Sequence, residues 1–300
     1  MNSEICSRAR NRFRTIVRTC LLVLTGLATP AASAQMLPVR GTQCDVDITG
    51  NIYLLDSDRN TLLLYDGTGI AQQGVGGSGW LDGQFDRPSA VWARNGIDVF
   101  VADFGNHRIQ RFDRTLSFVS SLSTRESSSP DERFGYPTDV ALSRMGELFI
   151  CDSENGRIVK VDRINRVERS FGGFGAGKGR LTAPTRIEIG PKDAVYVLDG
   201  PRVAVFDAFG NYLRDVMPGL LNRPVALYGD PDRLIVVETD TVYCFDAEER
   251  PAGMFTLSER APKVKAVRAI AARGTSLWLL SAGGLFALPD MLPAGPSGKP

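Results

Sequence analysis

The chain has 300 residues, 43% hydrophobic and 23% charged, with 35 basic against 34 acidic side chains and a single histidine. That is enough for a sizeable core, in one large domain or two small ones. A formal charge of +1 gives no field for nucleic acid or an anionic membrane. One histidine excludes a zinc site built on two or three of them, and the ordinary apolar and charged fractions exclude a disordered or collagen-like chain.

In chain order, the first eighteen residues carry Arg8, Arg10, Arg12, Arg14 and Arg18 against Glu4 alone. An apolar run of about nine residues, Cys20–Ala28, follows, and then Ala32, Ser33 and Ala34 before Gln35. The pattern predicts a secretory signal over residues 1–34, cleaved after Ala34. The run is too short to cross a bilayer, which takes roughly twenty residues. No small-residue lipid box precedes Cys20 and no adjacent arginine pair occurs, which disfavours a lipoprotein and twin-arginine export. Removing the leader leaves 30 basic and 33 acidic side chains, a net −3, with Cys44, Cys151 and Cys244 spaced by 107 and 93 residues. That spacing forms neither a local disulfide framework nor a metal pair. The mature chain is expected to be periplasmic or extracellular, monomeric and without a membrane span.

From residue 35 onward the sequence repeats. The unit is a proline, an apolar strand, a turn, a second strand ending in an acidic residue, and a third ending in aspartate. The clearest copies run from Pro88 to Asp113 and from Pro137 to Asp162, with further units beginning near residues 43, 184, 224 and 266. The second strand closes on Asp56, Asp103, Asp152, Asp199, Glu238 and Ser281, at intervals of 47, 49, 47, 39 and 43 residues. The third closes on Asp66, Asp113, Asp162, Asp207, Asp246 and Asp290. Runs of four to six residues rich in Val, Ile, Leu, Phe and Tyr, punctuated by glycine and proline, favour strands. Six such units predict an all-β fold, a six-bladed β-propeller of four-stranded antiparallel blades over residues 35–293. Residues 35–41 supply a candidate ring-closing strand (Met36–Arg40) for the last blade, and residues 294–300 a frayed tail.

The segments from Val101 to Asp113, Ile150 to Asp162 and Leu55 to Asp66 resemble the core of an NHL repeat. The glycine-rich linkers Gly76–Pro88 and Phe171–Pro184 resemble its connection. The likeness is good over residues 41–184 and decays beyond. It implies a six-bladed propeller of an exported bacterial type, and implies little about activity, because such rings serve enzymes, sensors and scaffolds.

Candidate chemistry follows from the repeat. His107 would have to be any general base near neutral pH, yet it occupies the repeat's own turn position, and no nucleophile elbow accompanies it. Asp56, Asp103, Asp152 and Asp199 recur once per blade, as expected of carboxylates that accept from backbone N–H groups of the following turn. A phosphate loop is excluded, since Gly177 and Lys178 are followed by Gly179 rather than serine or threonine. Positions where blades differ are more telling. Counting two residues from the repeat proline gives Asp45, Ala90, Asp139, Arg186, Ala226 and Arg268. Two further along stand Asp47, Trp92, Ala141, Glu188, Tyr228 and Ile270. Innermost strands gather at a central channel, so Asp45, Asp47, Trp92, Asp139, Arg186, Glu188, Tyr228 and Arg268 are expected at one mouth as a ligand site. Simple salt bridges of Asp45 and Asp139 with Arg186 and Arg268 are the plainer alternative.

Two function classes remain. The first is a non-enzymatic binding or scaffolding module for a protein, peptide or glycan, with no metal and no cofactor. The second is a divalent-metal-dependent hydrolase resembling the sugar lactonases, or a lyase resembling the amidating lyases. The former would want Glu, Asn and Asp ligands together, and the channel positions contain no asparagine. The latter resemblance implies several histidines. Binding is favoured over catalysis.

Overall fold

Branched and aromatic runs separated by glycine, proline and aspartate form strands of three to seven residues. The computed structural model describes residues 35–293. The signal-sequence reading of 1–34 and the frayed-tail reading of 294–300 lie outside the described residues.

Each blade is an antiparallel meander, and there are six among the described residues. Blade one comprises β2 (Gln43–Val46), β3 (Ile52–Asp56), β4 (Thr61–Tyr65) and β5 (Ala71–Gly76). Blade two comprises β6 (Ala90–Trp92), β7 (Asp98–Asp103), β8 (Arg108–Asp113) and β9 (Phe118–Leu122). Blade three has β10 (Pro137–Leu142), β11 (Leu148–Asp152), β12 (Arg157–Val161) and β13 (Val167–Phe171). Blade four has β14 (Pro184–Ile189), β15 (Val195–Asp199), β16 (Arg202–Phe206) and β17 (Tyr212–Asp215). Blade five has β18 (Pro224–Asp230), β19 (Arg233–Glu238), β20 (Thr241–Asp246) and β21 (Pro251–Thr256), followed by the short helix α1 (Leu257–Arg260). Blade six has β22 (Val267–Arg273), β23 (Ser276–Ser281) and β24 (Gly284–Leu288), and its fourth strand is β1 (Gln35–Leu37), paired antiparallel to β24. The first and last strands of the ring therefore share one sheet. Gly284 is needed there: its φ is +133°, and a Cβ would lie 2.5 Å from the Leu37 carbonyl oxygen.

Burial grades outward. The inner strand β2 is buried throughout, whereas the outer strand β5 is almost wholly exposed. The apolar clusters lie between blades rather than within them: Trp92, Ile109, Phe134, Phe149 and Phe206 belong to one cluster spanning blades two to four. Burying such surface at about 25 cal/mol per Å² is what holds adjacent sheets face to face.

The recurring carboxylates divide into two kinds. Asp66, Asp113, Asp207 and Asp246 each accept from backbone N–H groups two and four residues on, pinning the turn into the fourth strand. Among the second-strand carboxylates, only Asp56 accepts from backbone N–H groups of its following turn, those of Asp58 and Arg59. Asp103, Asp152 and Asp199 instead accept from the connection that enters their own blade: Asp86 N–H, Gly135 N–H, and Thr182 and Ala183 N–H respectively. Each also takes an arginine, Arg108, Arg157 or Arg202, at 2.8 to 3.1 Å. The expected following-turn role is thus corrected for these three. They anchor the inter-blade connection, because the strand end points under that loop.

Candidate functional site

The pairing of each inner strand with the second strand fixes which channel positions correspond. Gln43, Ala90, Arg186, Ala226 and Ala269 each pair with the residue just before the one closing the second strand. Asp139, adjoining the Val140–Ile150 pair, is their counterpart in blade three. With alternate residues sharing a face, the next layer holds Asp45, Trp92, Ala141, Glu188, Tyr228 and Ala271. The layer after that holds Asp47, Arg94, Ser143, Gly190, Asp230 and Arg273. Counting from the proline therefore misplaces three of the eight expected residues, and Asp47 belongs beyond the Trp92 layer, with Arg94 and Asp230. Asp45 belongs one layer deeper, with Trp92 and Glu188. Arg268 leaves the channel and faces the groove between blades six and one, where it donates to the Gly41 carbonyl at 3.2 Å.

Arg94 organises the centre. It follows β6, and its guanidinium reaches across the ring to donate to Asp45 at 3.2 Å, to both oxygens of Glu188 at 2.6 and 2.7 Å, and to the Gly229 carbonyl at 2.7 Å. It also lies 4.3 Å from the centre of the Tyr228 ring. One side chain thus ties together blades one, two, four and five. Asp45 completes its own shell with the N–H groups of Val46 and Ala93. Burial works against the Arg94 charge, but Asp45 and Glu188 hold its pKa well above the ordinary value. Burial pushes Glu188 up to about 7 despite the cation beside it.

Below this strut, toward the mouth where inner strands begin, Asp139 accepts from Val140 N–H and from Ile187 N–H of the next blade. Burial pushes its carboxyl up to about 6. The Gln43 side-chain amide lies against the Arg186 guanidinium, a pure donor that the amide oxygen suits as acceptor. Asp45 and Asp139 pair with neither Arg186 nor Arg268 within ion-pair distance; Asp45 pairs with Arg94, and Asp139 accepts from backbone N–H groups.

Above the strut, at the mouth where inner strands end, a cavity of about 890 Å³ opens over Trp92, Arg94 and Tyr228, walled by Leu142, Ile189 and Gly190. That volume falls within the range of small-ligand sites. The charged side chains around it already have partners. Asp47 accepts from Thr49 and Asn51 of its own turn, Asp98 pairs with Arg111 at 2.7 Å, Asp193 with Arg144 at 2.7 Å and Asp230 with Arg233 at 3.3 Å. Exposed apolar side chains, Ile48, Ile97 and Met145, tip the hairpins on this same face.

The eight expected positions are therefore divided. Asp45 and Glu188 meet through Arg94, Trp92 and Tyr228 floor the cavity, Asp47 is a turn anchor at its edge, Asp139 and Arg186 lie beneath, and Arg268 stands apart. His107 sits away from the channel in the β7–β8 turn, accepting from Tyr136 N–H at 3.1 Å and packing against that ring at 4.1 Å with the planes tilted by 58°. Burial and Arg125 lower its pKa. Arg94, Gln43 and the apolar walls are absent from the sequence-derived set.

A divalent cation does not fit these groups. Both oxygens of Asp45, Asp139 and Glu188 accept from backbone or guanidinium donors. Among the described residues no three His, Cys, Asp or Glu side chains gather as a ligand set.

The class of fold is thus a six-bladed β-propeller. Within it, the family model described as NHL repeat matches residues 134–161, so the third blade carries an NHL repeat. Among known proteins, the chain is 31% identical over 139 residues to Protein brain tumor of Drosophila melanogaster, covering 45% of this chain and 13% of that one. It is 35% identical over 83 residues to a probable peptidyl-alpha-hydroxyglycine alpha-amidating lyase of Caenorhabditis elegans, covering 27% and 24%. The matches thus span at most about a quarter of these curated relatives. A catalytically inactive virginiamycin B lyase from Staphylococcus aureus, crystallised with quinupristin, superposes with a TM-score of 0.58 at 15% identity, covering 88% of this chain and 92% of that one. A streptogramin B lyase does so at 0.56 and 12%, covering 87% and 89%. At such identity the likeness is one of fold.

Proposed function

We propose that this chain is an exported, non-enzymatic binding module whose ligand, a protein, peptide or glycan, seats in the cavity over Trp92, Arg94 and Tyr228. The observation that supports it most is the Arg94 strut. It closes the channel into a floor and engages the acids that chemistry or a metal would otherwise use. A rigid ring presenting a shaped, aromatic-floored mouth suits recognition. The alternative, a metal-dependent hydrolase or lyase, draws on the names of the neighbours above and on the raised carboxyl groups of Glu188 and Asp139. Export to the periplasm or beyond belongs to this proposal too.

The test is calorimetric titration of peptide and oligosaccharide panels, with and without a chelator, alongside product analysis. Saturable binding unchanged by the chelator, with ligand recovered intact, is expected. Turnover that follows added Ca²⁺, Mn²⁺ or Zn²⁺ would establish the enzyme instead.

A further inference from the structure

The same cavity narrows the ligand class. We infer that its occupant is a short, uncharged peptide stretch carrying bulky apolar side chains, rather than a glycan or a charged segment; this rests on the binding reading above. The first support is charge. Most acids and bases at the cavity wall face one another, through Asp98–Arg111, Asp193–Arg144 and Asp230–Arg233; the floor cation is held by Asp45 and Glu188, Asp47 is filled by its own turn, and Arg273 donates to the Ile48 carbonyl. The arginine ends of the Asp98–Arg111 and Asp193–Arg144 pairs are solvent-exposed, so a charged ligand gains little by competing for them. The partner that complements a self-neutralised wall is an uncharged one.

The second support is hydrogen bonding. The Asp47 carboxylate is filled by its own turn, the Tyr228 hydroxyl donates to Asp230 at 3.2 Å and lies 2.9 Å from the Ala272 carbonyl, and the Asn95 carbonyl accepts from the Ile97 and Asp98 N–H groups. A glycan needs many donors and acceptors to replace water on its hydroxyls, and this wall has its own already bonded. The rest of the lining is apolar surface: the side chains of Leu142 and Ile189 and the exposed rim at Ile48, with only the edges of the buried Trp92 and Tyr228 rings reaching it. Aromatic and aliphatic side chains gain by burial there.

The experiment uses end-blocked pentapeptides titrated into the full mature chain, followed by tryptophan fluorescence and calorimetry. One peptide has phenylalanine at its second and fourth positions, one glutamate and one lysine; maltopentaose is the fourth probe. The phenylalanine peptide is expected to bind saturably, and the two charged ones at least tenfold more weakly. Trp92→Ala should weaken the phenylalanine peptide at least tenfold. So should Ile48→Glu, which changes only an exposed rim residue and so leaves folding intact. Phe174→Ala, on the opposite face, should leave binding unchanged. A charged peptide or maltopentaose that binds as well as the phenylalanine peptide, and loses affinity in Trp92→Ala and Ile48→Glu, would overturn the ligand class while sparing the site. Binding indifferent to both variants, or no binding by any of the four probes, would overturn the site as well.

Discussion

Arg94 is one cation between two buried carboxylates, and taking it away leaves both without their counter-charge. Arg94→Met is expected to cost about 3–5 kcal/mol, the usual loss when one partner of a buried pair is removed. Adding Glu188→Leu should restore much of it, since the uncompensated charge leaves as well; urea denaturation of the single and double variants checks both. Asp139 gives a pH signature with a definite sign. Its folded carboxyl keeps a proton up to about 6, whereas the unfolded value is 3.8. Between those values the folded state binds more protons, so raising the pH across the window removes stability. Wild type should therefore lose stability relative to Asp139→Asn as pH rises from about 4 to about 6, with the difference flat above about 7. A difference that grows in the opposite direction would show that the backbone N–H groups of Val140 and Ile187, not burial, control this carboxyl.

At the scale of the element, the two carboxylate series separate by burial and should separate in energy. Asp103 is fully buried beneath its connection with Arg108, so Asp103→Ala should cost about 3 kcal/mol or more. Asp113 lies in an exposed turn, and Asp113→Ala should cost about 1 kcal/mol. Thermal and chemical denaturation of the pair distinguishes a strand-end anchor from a turn anchor. Strand spacing, the blade count and both acidic series are legible in the sequence because period-two patterning and the turn aspartates are local. Channel register is legible only where proline marks it. Blade one begins β2 without a proline, and blade six carries Val267 where blades four and five carry Pro184 and Pro224, so counting slips at Asp45, Asp47 and Arg268. Arg94 is illegible for another reason. Flanked by Ala93, Asn95 and Gly96, it reads as a solvated turn residue, and only closure of the ring brings Glu188 and Gly229 to it.

At the scale of the molecule, stability depends on the seam in blade six. Three residue pairs join β1 to β24, and at about 1 kcal/mol per hydrogen bond their loss, with the edge it exposes, should cost about 3 kcal/mol. A chain starting at Pro38 should show that loss, with hydrogen exchange rising first across Gly284–Leu288. Exchange that rises uniformly round the ring would mean instead that the sheets open together. The seam also sets a schedule. A ribosome releases Gln35–Leu37 before any other strand of the ring, yet their hydrogen-bonding partner is the strand made last. While the intervening blades emerge and stack in order, that first segment has no ladder to join, and the growing arc keeps an unmatched flank at each end. Contacts separated by some 250 residues are the slowest to form, because loop closure precedes any reward. Completion of the circle is thus the final event of synthesis, and the interval before it is when the nascent chain is most open to pairing with a neighbour.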